Sequence, residues 1–143
     1  MPCEFKSFSF FFNHRPQPKA RPRARRRGPF LSIYSPKSDF EIALNQYAML
    51  LPGRPKKVKC AVSIAMRFYF KRASGIRKDK VHKETRADLD NLIKVSDFLN
   101  DCGYLEDDSQ VVQIHAGKYW SDNKEGLDFK MVHVECRTKN GCN

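Results

Sequence analysis

The sequence predicts a single α+β domain in the order β-α-β-α-β-β, with one mixed sheet and two helices packed on it. Three observations lead there: two amphipathic helical segments, four segments with strand-like patterning around them, and no internal repeat. At 143 residues, read as one domain over 1–143, the chain is long enough to bury a core without disulfide or metal staples.

Taken in order, the Phe-rich segment 5–13 reads as the first strand. "HRPQPKARPRARRRGP", residues 14–29, reads as an extended basic loop, because Pro16, Pro18 and Pro22 forbid a helix and remove ladder donors. Contact with phosphates suits it; a solvated loop or a nuclear localisation signal is the plainer reading. In "SPKSDFEIALNQYAMLL", Ser38 is the expected N-cap, with Glu41 three residues on as in a capping box. Phe40, Ala43, Leu44, Tyr47, Leu50 and Leu51 form the apolar stripe of that helix. Residues 57–70 alternate as a long strand, with Val58, Cys60, Val62, Ile64, Met66, Phe68 and Phe70 on one face. A basic loop, 71–86, leads to a second helix from Asp88 to just before Gly103, a good C-cap residue. Strands at 109–118 and 127–136 follow, and the tail 137–143 is expected to fray.

A formal net charge of +11 and a pI near 9.6 call for an anionic partner. Nucleic acid is preferred to a membrane surface, because no basic amphipathic helix with a Trp/Leu/Phe face is visible. No apolar run is long enough to span a bilayer, and "FSFFFN" lacks the n-region and cleavage site of a secretory signal. The five cysteines, Cys3, Cys60, Cys102, Cys136 and Cys142, are odd in number and include no C-x-x-C pair. They predict reduced thiols in an intracellular protein, cytoplasmic beside the nucleoid or nuclear in a eukaryote, with Cys60 and Cys136 packed in strands.

Against this basic background the stretch "TRADLDNLIKVSDFLNDCGYLEDDSQVV" gathers acids. On a helical wheel Leu89, Leu92, Val95, Ser96 and Leu99 face the core, and Asp90, Lys94, Asp97 and Asp101 face solvent. The plain reading makes Asp88 an N-cap and Asp90–Lys94 a surface ion pair. The second acidic element, Asp107 and Asp108, shifts the balance. An extended return over 103–107 covers ~17 Å, close to the ~20 Å of the helix, so it brings Asp107 or Asp108 near Asp88 and Asp90. Three carboxylates within ~5 Å repel by about 3 kcal/mol per pair at an effective dielectric near 20. A cation relieves that repulsion, and hard oxygen ligands suit Mg²⁺ or Mn²⁺. A divalent ion beside a phosphate-seeking surface points to phosphodiester chemistry.

The same residues resemble a known family. "RADLDNLIKVSDFLNDCGYLEDDSQVV" is similar to the signature of the RusA-type Holliday junction resolvases: a basic approach, D-x-D-N-L-x-K, then D-D-[SA]-Q-[VI]. "PQPKARPRA…YSP" and "GKYW" add to the resemblance, which runs from about Arg15 to Glu135. It implies a homodimeric, Mg²⁺-dependent endonuclease that resolves four-way DNA junctions by paired nicks in recombination and repair. It further implies Asp88, Asp90 and Asp108 as metal-binding catalytic carboxylates and Lys94 as the catalytic lysine. Asp107 is a further possible ligand, although alternation at a strand start puts neighbours on opposite faces. The family commonly has an aspartate four residues after the lysine; Asp97 comes three after Lys94 and receives no role. Phosphate contacts fall to Arg15, Lys19, Arg21, Arg23, Lys71, Arg72, Lys83, Arg86 and Lys118. A twofold junction suits a C₂ dimer, for which the Phe-rich strand and Trp120 offer either interface or core. The rival expectations are a non-catalytic nucleic-acid-binding module and a metal nuclease acting on other branched DNA.

Overall fold

A computed structural model describes residues 4–19, 23–34 and 36–134. Its elements are β1 (Ser7–Phe12), β2 (Arg23–Arg27), β3 (Phe30–Tyr34), α1 (Asp39–Leu50), β4 (Val62–Lys71), α2 (Leu89–Ile93), α3 (Phe98–Asp101), β5 (Val111–Ser121) and β6 (Gly126–His133). One 3₁₀ turn, Lys94–Asp97, joins α2 to α3, and another, Asp108–Gln110, leads into β5. The main sheet has the order β1-β6-β4-β5, antiparallel except for the parallel pair β4–β5. It is mixed, as the sequence predicts.

Alternation decides which face is buried. Val62, Ile64, Met66, Phe68 and Phe70 of β4 are all buried, beside Leu127, Phe129 and Met131 of β6. Phe10 and Phe12 of β1 complete the row, and Phe10 stacks on Phe129 with centroids 5.1 Å apart. Helical Phe40, Leu44, Ala48, Leu92, Val95, Phe98 and Leu99 pack onto the same face. The Phe-rich strand and Trp120 thus resolve as core, with Phe11 left at the surface.

The first helix has the expected capping box between Ser38 and Glu41. Its stripe is narrower than the sequence suggests: Phe40 and Leu44 are buried, whereas Leu50, in the last turn, is 80% exposed. The second helical run is continuous from Leu89 to Asp101 but tightens to 3₁₀ over Val95, Ser96 and Asp97, all weak helix formers. Gly103, at φ 72°, ends it in the left-handed conformation that glycine adopts without strain.

Three expectations are corrected. Strand β4 starts at Val62 and not at 57, because Lys57 and Val58 donate instead to the carbonyls of Gly103 and Tyr104 (2.8 and 2.9 Å). The basic segment 14–29 is not loop throughout: Arg23–Arg27 pairs antiparallel with Phe30–Tyr34 in a hairpin separate from the main sheet. The Gly28-Pro29 turn between an Arg-rich run and "FLSIY" is the sequence signal for it. Cys60 is disulfide-bonded and not a reduced thiol, because bonding reach between cysteines is set by the fold and not by their spacing along the chain. Cys102 is free and buried. Cys3, Cys136, Cys142 and the tail lie outside the described residues. No helix among the described residues is long and apolar enough to cross a membrane.

Leu92, fully buried, pins α2 to the sheet. Leu92→Ala is expected to cost about 2–5 kcal/mol. The check is a lower urea midpoint with an unchanged m-value.

Candidate metal and DNA-binding site

Asp88 stands immediately before α2 and Asp90 in its first turn, both exposed. Asp88 makes no side-chain capping bond, and Lys94 donates to Asn91 Oδ1 (3.2 Å). Neither carboxylate takes part in an ion pair among the described residues. The plain roles of cap and surface pair are therefore not filled. Two acids without an ion-pair partner among the described residues thus stand two positions apart at a helix entry.

That entry is held by lysines. Register places Lys118 opposite Phe68, on the helix side of β5, and its ammonium donates to the carbonyls of Thr85 and Ala87, both at 2.7 Å. Lys83 donates its backbone N–H to Lys118 O (3.1 Å) and its buried ammonium to Thr85 Oγ1 (3.1 Å). The same ammonium lies 4.8 Å from the ring centre of Phe70 and 5.2 Å from that of Trp120. Burial, and then the charges of Lys118 and Arg15, hold the Lys83 pKa below its ordinary value. Lys19 N–H bonds Asn91 O (3.1 Å), which lays the N-terminal basic segment along α2.

Asp107 and Asp108 are built differently. Asp107 Oδ1 accepts from Ser109 N–H (3.3 Å), and Gln110 Oε1 accepts from Asp107 N–H (2.7 Å). Gln110 also donates to the carbonyls of Val58 (2.6 Å) and Cys60 (2.9 Å). This glutamine therefore fixes the acidic turn against the lead-in to β4. Sequence reasoning missed that role, although the Gln belongs to the "DDSQ" string. The Ser109 amide is the main reason the Asp107 pKa falls. The hydrogen bond with Asp107 is the main reason the Asp108 pKa rises, with Asp97 adding to it.

The two acidic elements do not meet as the extended-return expectation has it. Tyr104 and Leu105 N–H both bond Leu99 O (2.8 and 3.1 Å), and Leu105 bridges to Val58. The connection turns aside onto the segment before β4 and does not run back along the helix. Asp108 precedes β5 and feels the charge of Asp97, whereas Asp88 follows the backbone that Lys118 holds. From Val111 to Lys118 the strand covers about 23 Å at ~3.3 Å per residue. Among the described residues no three His, Cys, Asp or Glu side chains stand together closely enough to hold a metal ion.

The basic residues divide by use. Arg15, Lys71 and Arg86 are exposed, and Lys19 pairs with Asp97, which raises its pKa. Arg72 is engaged inside the protein, with Asp122 (2.8 Å) and the carbonyls of Arg77 (2.6 Å) and Lys80 (2.7 Å). Lys83 and Lys118 are likewise engaged with the segment before α2. Arg21 lies outside the described residues, and Arg23 opens β2. Arg25 and Arg26 are exposed on the hairpin with Phe30, Leu31 and Ile33, a basic and apolar ribbon that the loop reading did not anticipate.

A family model described as "Endodeoxyribonuclease RusA" matches residues 13–131, which include both acidic elements, the helices and most of the sheet. The chain belongs to the RusA family. No curated protein matches it. Membership in the RusA family makes it a relative of endodeoxyribonucleases, and both acidic elements and the lysines that hold the first one fall within the matched region.

Lys83 gives a pH test of the entry to α2. Between its lowered pKa and the ordinary 10.5, the folded chain binds fewer protons at this site than the unfolded chain. Its contribution to stability therefore rises with pH across that window and is least favourable below it. The stability of wild type relative to Lys83→Met is expected to increase as pH approaches about 10.5, read from urea unfolding at several pH values.

Proposed function

We propose that this protein is a divalent-metal-dependent, structure-specific endodeoxyribonuclease that nicks four-way DNA junctions in pairs. The observation that carries the reading is the Asp88–Asp90 pair: exposed and, among the described residues, without an ion-pair partner, at a helix entry held by lysines, in a RusA-family chain. A site of few carboxylates with room for water is chemically suited to Mg²⁺, with Mn²⁺ as a substitute. Asp88 and Asp90 would hold it, and Asp108 is the further carboxylate that the family resemblance supplies. When bound, such an ion supplies a more acidic water and offsets charge on the phosphate.

The chain's own residues have distinct tasks. Lys118 and Lys83 fix the backbone from Thr85 to Ala87 and so set where Asp88 stands. Lys94, exposed one turn beyond Asp90, would offset charge developing on the scissile phosphate. Arg15, Arg86 and the hairpin arginines would grip flanking phosphates without reading bases. Water adds to phosphorus and the P–O3′ bond breaks. The strand is left with a 3′-hydroxyl and a 5′-phosphate.

The separation of Asp108 from Asp88 within one chain favours a second reading, a module that grips nucleic acid and does no chemistry. The two diverge on one variant. With Mg²⁺ and a synthetic mobile junction, Asp88→Asn is expected to lose cleavage by at least about 10²-fold while keeping junction binding. If wild type leaves the junction intact, the binding-module reading stands. Equal cleavage of linear duplex would instead identify a nuclease of other specificity.

The hairpin gives a separate expectation. Arg25→Ala with Arg26→Ala should weaken junction binding at every sequence and reduce the slope of log K against log salt by about 2. Fluorescence anisotropy across a salt series reads it.

A further inference from the structure

We infer that the open face of the main sheet binds single-stranded DNA, with unpaired bases stacked on a band of rings formed by Phe11, Tyr69, Tyr119 and His82. The inference goes beyond the nuclease reading and does not depend on it.

The first ground is that this face is open. The helices pack on the side of the sheet that carries Phe68 and Phe129. Alternation turns Arg67 and Tyr69 of β4, Tyr119 of β5 and Lys130 of β6 to the other side. There Ser9, Phe11, Arg67, His115 and Lys130 are all exposed, so no described element covers the face.

The second ground is the arrangement of the rings. Register sets Tyr69 directly opposite Tyr119, with centroids 5.5 Å apart and planes inclined by 30°. His82, bridged to Tyr119 across the outer edge of β5, extends the band with its centroid 5.2 Å from that of Tyr119. On the other side, the Lys124 ammonium lies 4.0 Å from the ring centre of Tyr69 and 5.6 Å from that of Phe11. The band crosses the sheet from β1 to the segment beyond β5, about 19 Å at ~4.8 Å per strand. A four-stranded sheet stacks two or three bases over such a span. Two glycines make room for it. A Cβ on Gly117 would come within 2.5 Å of the Tyr119 hydroxyl, and one on Gly126 within 2.8 Å of the Phe11 ring. Both rings therefore lean over bare backbone and lie along the sheet, where a base can meet them.

Charge is the third ground. Arg67, Lys71 and Lys130 share this face, and Asp128 is the one acid among its described strand positions. Cations beside rings suit a chain of phosphates and planar bases, whereas an acidic peptide would leave the rings without stacking partners. An exposed cation–π contact is weaker than base–aromatic stacking, so a base displaces Lys124 and frees it to pair with a phosphate. Membership in a family of endodeoxyribonucleases makes DNA the expected strand. His82 adjoins Lys83, which holds Thr85 ahead of Asp88. The band and the entry to α2 are thus built on one segment, from opposite faces of the sheet.

Fluorescence anisotropy of a labelled oligothymidylate of about 12 nucleotides tests this. Tyr69→Ala and Tyr119→Ala should each weaken binding about 5- to 150-fold, whereas Tyr119→Phe should keep it within about twofold. If circular dichroism shows that the alanine variants do not fold, Phe11→Ala, at a ring 37% exposed, takes their place. A second readout locates the strand: with iodouracil in place of thymine, irradiation of the wild-type complex should cross-link Tyr69 or Tyr119, identified by mass spectrometry. Wild type that does not bind the oligonucleotide, alanine variants that bind as wild type does, or cross-links confined to the β2–β3 hairpin each overturn the inference. An oligouridylate bound more tightly than the oligothymidylate overturns the assignment to DNA.

Discussion

Strands β4 and β5 run parallel with Phe68 opposite Lys118 and Phe70 opposite Trp120, and both ends of the candidate site depend on this register. A parallel pair needs a long crossover, and here the crossover from Arg72 to Gln110 carries all five acids of interest: Asp88, Asp90, Asp97, Asp107 and Asp108. The buried row from Val62 to Phe70 resists slippage, because a shift by one residue would turn Lys118 away from the helix entry and Trp120 out of the core. Packing of apolar side chains thereby decides where charged ones stand.

Cations in this chain serve two purposes that sequence cannot separate. Arg72, Lys83 and Lys118 spend their donors on carbonyls and hydroxyls of the crossover, where they act as struts. Arg15, Arg86, Arg25 and Arg26 remain at the surface, where a polyanion can reach them. Lys83 is the extreme case: a buried ammonium over two rings, with like charges near it and no carboxylate partner among the described residues. Tyr104 shows the neutral counterpart. Its buried hydroxyl donates to Ala48 O (2.8 Å), and burial pushes its pKa up to about 12.

The hairpin β2–β3 stands apart from the main sheet and pairs an arginine strand with an apolar one. Two-stranded ribbons of this kind are marginal alone in water. Phe30 and Ile33, both 74% exposed, sit beside exposed arginines, a combination that suits stacked bases and phosphates better than a dry protein core.

The sequence by itself determined the α+β class, the helix caps, the buried face of β4 and the family, because each is written in short-range periodicity or in a local motif. Ser38 with Glu41, and the alternation from Val62 to Phe70, are legible without any partner. It also singled out Asp88, Asp90, Asp107 and Asp108 as residue types suited to a cation. Tertiary structure alone decided that Gln110 fixes the Asp107–Asp108 turn against the lead-in to β4, that Lys83 and Lys118 hold the turn before Asp88, and that Arg23–Arg27 is a strand. The reason is physical. Local patterns set the direction of a side chain within its own element, but the distance between two elements follows from hydrogen bonds made elsewhere. Here those are the bonds of Tyr104 and Leu105 to Leu99, and of Gln110 to Val58 and Cys60.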